Sequence, residues 1–139
     1  MAKSTAGYPS GQLTNIRAGR HACYDRLVFD VRGNHVAYTV KYVSTMRADA
    51  SNRVVPLRGG AKLSIVLQTP AYDLAGRPTY HFANKSELVN VRGYGTFRQV
   101  AFAGSFEAVT SVGLGVRARL PFRVFTLPGR VVVDVAHRW

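Results

Sequence analysis

The sequence predicts an all-β chain of about eight short strands, folded as a β-sandwich or a small barrel. Three observations carry this. Apolar and polar residues alternate with a period of two in one segment after another, and no segment sustains a helical period. Gly, Pro and Asn punctuate the alternating runs at short intervals. The first and last runs also echo each other: Arg26-Leu27-Val28-Phe29-Asp30-Val31 matches Arg130-Val131-Val132-Val133-Asp134-Val135 at Arg, Val, Asp and Val in one register.

Residues 26–32 set Leu27, Phe29 and Val31 against Arg26, Val28, Asp30 and Arg32, a strand with one buried and one wetter face. Val36, Tyr38, Val40 and Tyr42 then alternate with His35, Thr39 and Lys41, and Arg32-Gly33-Asn34 between the two runs reads as a hairpin turn. Leu63, Ile65 and Leu67 form a third strand, stopped at Thr69-Pro70 because proline has no N–H for the ladder. From Pro70 to Gly95 alternation lapses except at 88–92. This is a long loop excursion with a helical turn expected at 84–88, and long loops in compact domains are candidate binding surfaces. Two short strands follow at 97–103 and 106–110. Val112, Leu114, Val116 and Ala118 then alternate with Ser111, Gly113, Gly115, Arg117 and Arg119 until Leu120-Pro121. Residues 122–127, the turn Pro128-Gly129 and the run from Arg130 to Val135 close the chain. The two echoing strands are expected in different sheets, apolar faces together and Arg/Asp faces outward.

A chain of 139 residues is one domain and buries roughly two-thirds of its unfolded surface. Hydrophobic residues make up 47% and charged residues 19%, which excludes intrinsic disorder. No apolar run reaches the ~20 residues that span a bilayer. The opening residues lack the apolar centre of a secretion signal, so export implies a leader removed from this sequence. Residues 1–7 read as a disordered or expression-derived tail and residues 8–139 as the domain. Nineteen basic against seven acidic residues give a net charge of +12, which points to an anionic partner: nucleic acid, phospholipid head groups or an acidic wall polymer.

Four blocks, residues 19–33, 55–63, 113–125 and 130–139, resemble the AMIN-like domains of actinobacterial secreted proteins and lipoproteins, relatives of the AMIN domain of cell-wall amidases. The resemblance implies a β-sandwich with pseudo-symmetric halves. It also implies a non-catalytic envelope role, binding peptidoglycan or localising an associated activity, at the cell wall or outer face of the membrane. The positions it transfers are Arg26, Asp30, Arg130 and Asp134, and a binding module of this kind needs no cofactor. No amidase domain follows Trp139 here, so a self-standing wall-associated or lipid-anchored module is expected. Two alternatives stand beside it: a single-stranded nucleic-acid binder on a small barrel, and an envelope assembly subunit that binds another protein.

Individual residues sharpen this expectation. His21, Cys23 and Asp25 share one side of an extended segment, but residues two apart on a strand point the same way, which is awkward for a thiol nucleophile and its base. Cys23 also has the parity of Leu27 and Phe29, so a buried, inert thiol is expected. The single cysteine excludes an internal disulfide, and the four histidines show no metal-ligand spacing. Arg117 and Arg119, with Arg123, form the densest basic feature. Placed beside Gly113 and Gly115, they read equally as an anion groove and as a solvated strand face. The expected ligand contacts are Arg117, Arg119, Arg26 and Arg130, with Asp30 and Asp134, and with Tyr80 and Tyr94 of the excursion stacking on sugar rings.

Overall fold

The computed structural model describes residues 3–5, 11–33 and 36–139. Nine strands are found among them: β1 (Lys3–Thr5), β2 (Gln12–Arg20), β3 (Tyr24–Arg32), β4 (Tyr38–Val43), β5 (Ala61–Leu67), β6 (Phe97–Phe106), β7 (Val109–Val116), β8 (Phe122–Leu127) and β9 (Arg130–Ala136). They form a five-stranded sheet, β1-β4-β5-β7-β6, and a four-stranded sheet, β2-β3-β9-β8, with every pair antiparallel. The fold is the all-β sandwich that the alternation predicts. Of the expected tail, residues 3–5 pair with β4, and residues 1–2 and 6–10 lie outside the described residues.

The inward residues of both sheets build one core. Leu13, Leu27, Phe29, Val131, Val133 and Val135 come from the smaller sheet, and Val40, Leu63, Ile65, Leu67, Val100, Val112, Leu114 and Val116 from the larger. Each such side chain, fully buried, contributes about 1.5–3 kcal/mol. A second, smaller cluster of Met46, Leu57, Ala101 and Ala103 forms where the segment after β4 folds back over the outer face of the larger sheet.

Several expectations need correction. The echoing strands do not lie back to back: β3 and β9 are neighbours in one sheet. Their antiparallel register pairs Val28 with Val132, Arg26 with Asp134 and Asp30 with Arg130. Repeating Arg-x-x-x-Asp in antiparallel neighbours sets each arginine opposite the other copy's aspartate, a match that two separate sheets would not make. The chain does not make a hairpin at residues 32–34 either, since β3 and β4 belong to different sheets and the connection crosses between them; Asn34 and His35 are outside the described residues. Residues 106–110 are not a separate strand, because Glu107 and Ala108, at φ 52° and 65°, form the tight turn between β6 and β7. The expected helical turn is a four-residue turn in which the Glu87 N–H donates to the Asn84 carbonyl.

The excursion closes one side of the sandwich by capping both sheet edges. The Leu13 N–H donates to the Pro70 carbonyl, and the Thr79 hydroxyl to the Leu13 carbonyl, on the β2 edge. The Phe102 N–H donates to Lys85 and the Leu88 N–H to Val100 on the β6 edge. Pairing these edges removes sites for association with other strands. Strand directions place residues 20–24, 92–97, 116–122 and 136–139 at one end of the sandwich, and residues 11–12, 67–79, 106–109 and 127–130 at the other.

Candidate functional site

Where the excursion rejoins β6, a groove of about 870 Å³ opens between residues 87–98 and Arg58. A bulge at the start of β6 turns Arg98 outward, and its guanidinium donates to the carbonyls of Tyr94 (3.0 Å), Phe97 (3.2 Å) and Gly95 (3.3 Å). Arg58 is fixed by its backbone: buried Gln99 accepts the Arg58 N–H through Oε1 (2.8 Å) and donates through Nε2 to the Ser86 carbonyl (2.8 Å). The Arg58 guanidinium pairs with Glu87 at 2.6 Å. Arg92 sits on a turn held by the Asn90 side chain, which accepts the Arg92 N–H at 3.0 Å, and by Gly93 at φ 83°. Its guanidinium has no ion-pair or hydrogen-bond partner among the described residues. Tyr94 stacks on buried Phe97, and Arg20 lies over the Tyr94 ring at 5.8 Å.

Glu87 is the one carboxylate that lines this groove, against Arg58, Arg92 and Arg98. Guanidinium forks bind carboxylate and phosphate in the plane, and an open groove admits an extended anionic chain.

Behind the groove is a latch that the sequence reading did not identify. Fully buried Asp25 accepts the Thr96 N–H (2.7 Å) and the Phe97 N–H (3.0 Å) through one oxygen; the other lies 3.8 Å from His137 Nε2. His137 Nδ1 is 2.8 Å from the Thr96 hydroxyl. These contacts face inward and fix the backbone of the groove wall. The signal was present in the sequence, because Asp25 shares the parity of Leu27, Phe29 and Val31.

The predicted site residues scatter. Tyr94 is in the groove. Tyr80 is 5% exposed and belongs to the core, where burial pushes its hydroxyl up to about 12. Arg117 and Arg119 lie beyond the end of β7, not on a strand face. The Arg117 guanidinium donates to the His137 carbonyl, and Arg119 lies over the Tyr42 ring at 5.6 Å. Gly113 and Gly115 face no open surface. A Cβ on Gly113 would come 2.8 Å from Leu57 Cδ1 and one on Gly115 2.0 Å from the Arg58 carbonyl oxygen, so these glycines admit the chain's own segment.

Arg26, Asp30, Arg130 and Asp134 occupy the outer face of the smaller sheet. Asp134 is 2% exposed and receives Arg26 through both its oxygens (2.7 and 2.9 Å) and Arg123 at 2.8 Å. Burial alone would raise the Asp134 carboxyl, but the hydrogen bonds from Arg26 and Arg123 outweigh it and hold the group below its ordinary range. Both guanidiniums also lie over the rings of Tyr24 and Phe125, at 5.1–5.7 Å. Asp30 takes both hydrogen bonds of Arg17, at 2.7 and 2.8 Å, and Arg130 remains exposed.

Cys23 is exposed, which overturns the buried thiol expected from parity. The chain leaves the strand pattern at His21, whose N–H donates to the Tyr24 carbonyl, so Cys23 lies in the turn between β2 and β3. No metal-binding group of three or more His, Cys, Asp or Glu side chains occurs among the described residues.

The AMIN-like domain family matches residues 11–137. A protein of Mycolicibacterium smegmatis named S-methyl-5'-thioadenosine phosphorylase is 30% identical over 117 residues, a match covering 77% of this chain and 43% of that protein. The chain therefore spans less than half of that relative's length. No solved structure matches.

Proposed function

We propose, from the premise that this chain belongs to the AMIN-like domain family, that it is a non-catalytic module of the cell envelope. On this reading it grips an anionic wall polymer, peptidoglycan or another, through the groove at Arg58, Arg92 and Arg98. One observation carries the reading: Arg92 presents a guanidinium without a partner among the described residues, in a groove of about 870 Å³ where a single carboxylate faces three arginines. A polymer with repeated carboxylates or phosphates supplies the missing charges, and each charge-assisted hydrogen bond contributes about 1.5–3 kcal/mol. Tyr94, flanked by Phe97 and Arg20, lines the groove beside those charges. The phosphorylase name belongs to a protein more than twice the matched length, and the Thr96–His137–Asp25 contact is turned into the fold, so neither supports catalysis here.

Salt titration of retention on purified sacculi, beside binding to a generic single-stranded DNA, tests the proposal. Retention should persist at salt that strips the DNA, whose affinity falls steeply as counterions are released. Arg92→Glu should weaken retention about tenfold, the equivalent of one lost charged contact. Tight DNA binding without sacculus retention would overturn the envelope reading.

A further inference from the structure

The end of the sandwich opposite the groove carries apolar side chains that folding does not explain. Leu74 is 106% exposed at the tip of a rigid turn. Asp73 holds that turn, accepting the Ala75 and Arg77 N–H groups through Oδ1 at 2.9 Å each, and the Gly76 N–H donates to the Asp73 carbonyl. The neighbouring β6–β7 turn is bound to the same segment, because the Ala108 N–H donates to the Tyr72 hydroxyl (2.9 Å) and the Ala71 N–H to Ser105 (2.9 Å). That turn exposes Phe106 to 51%. Leu127, 42% exposed, ends β8 beside the β8–β9 turn at the same end. Three of the six large hydrophobic residues that are exposed among those described thus sit in or beside three separate turns at one end.

We propose that this end docks on an anionic lipid bilayer, with Leu74 and Phe106 entering the head-group boundary and Leu127 at its rim. The inference concerns a second surface and does not depend on what the groove binds. A bilayer accepts apolar side chains exposed on separate segments without matching their shape. The charges agree. Arg32 and Arg130 are exposed at this end with no carboxylate partner among the described residues, Asp30 being occupied by Arg17. Exposed arginines at this level attract anionic head groups. Glu107 opposes them from the tip beside Phe106. Seated this way, the molecule turns its arginine groove away from the membrane.

Flotation of the full chain with phosphatidylcholine vesicles, with and without phosphatidylglycerol, tests this. The chain should bind only the anionic vesicles. Leu74→Ser should weaken that binding about tenfold, and Leu74→Ser with Phe106→Ser should weaken it further, without loss of thermal stability because both side chains are exposed. Glu107→Gln should strengthen it. In Leu74→Trp, emission should shift to the blue on adding anionic vesicles, while the native Trp139 at the other end stays in water. Arg92→Glu should leave vesicle binding unchanged. Wild type that fails to bind, binding that survives the double variant, or loss of binding in Arg92→Glu alone would each overturn the proposal; the first includes the case in which these turns meet a protein.

Discussion

Two arginine-rich surfaces of this molecule look alike in sequence and differ in chemistry. On the outer face of the smaller sheet, Asp134 is shared by Arg26 and Arg123, Asp30 is taken by Arg17, and Tyr24 and Phe125 cover the guanidiniums. Apart from Arg130 at its end, that charge is satisfied from within. In the groove, Glu87 is engaged by Arg58, Arg98 is committed to backbone carbonyls, and Arg92 has no partner among the described residues. The density of arginine therefore does not tell the two surfaces apart; the local supply of carboxylates does.

The comparison breaks most sharply at Asp134. Asp134→Asn removes the shared carboxylate and leaves Arg26 and Arg123 facing each other without a counter-ion. The expected cost is about 2–4 kcal/mol in urea unfolding, toward the lower end of what breaking a fully buried pair costs, because Arg123 is largely exposed. Retention on sacculi by the folded fraction should not change. The pH dependence follows from the sign of the shift. The folded carboxyl is held below its unfolded value, so its stabilisation is complete above about pH 5 and is lost as pH falls through about 4 toward the folded value. Asp134→Asn should remove that acid-side loss, and an unchanged acid limb would contradict the arrangement. Arg92→Glu is the opposite experiment: its urea midpoint should stay within about 0.5 kcal/mol of wild type while binding falls.

Gly115 tests how the groove is tied to the sheet. Gly115→Ala places a methyl against the Arg58 carbonyl, where only movement of the covering segment relieves the clash. Overpacking of this kind costs about 1–3 kcal/mol, and displacement of Arg58 should weaken sacculus binding as well. Loss of stability with intact binding would mean that Arg58 has no part in the site.

The alternation made the sandwich legible where the apolar positions of β3 and β5 are buried at every second residue. β2 was not legible. A bulge between Leu13 and Asn15 leaves its two fully buried residues, Leu13 and Ile16, three apart, which breaks the period of two. The β6–β7 boundary was hidden because Glu107 and Ala108 are poor residues for a left-handed turn. The repeated Arg-x-x-x-Asp was seen, but its pairing was not, since one strand does not encode its neighbour. Within the groove, only Tyr94 and the excursion itself were foreseen. Arg58, Arg92 and Arg98 come from three separate segments, and only the fold brings them together. Replacing Glu107-Ala108 by Asn-Gly should restore the residues that this turn favours and stabilise the protein by about 1 kcal/mol, read as a higher urea midpoint with an unchanged slope.

Asp49 supplies the remaining case, a partly buried carboxylate with no arginine on it among the described residues. Its Oδ1 accepts from the Ser111 hydroxyl at 2.9 Å, and its Oδ2 is buried without a hydrogen-bond partner. Burial raises its carboxyl above the ordinary range, and the Ser111 hydrogen bond offsets this only in part. The sign is therefore opposite to that of Asp134. The folded state holds the proton more tightly, so Asp49 opposes folding increasingly as pH rises through its raised value. Asp49→Asn should be about as stable as wild type near pH 3 and more stable at neutral pH, by less than about 1 kcal/mol. A variant destabilised at neutral pH would mean that the ionised carboxylate has a partner, and that the contrast between acids with and without arginines does not hold.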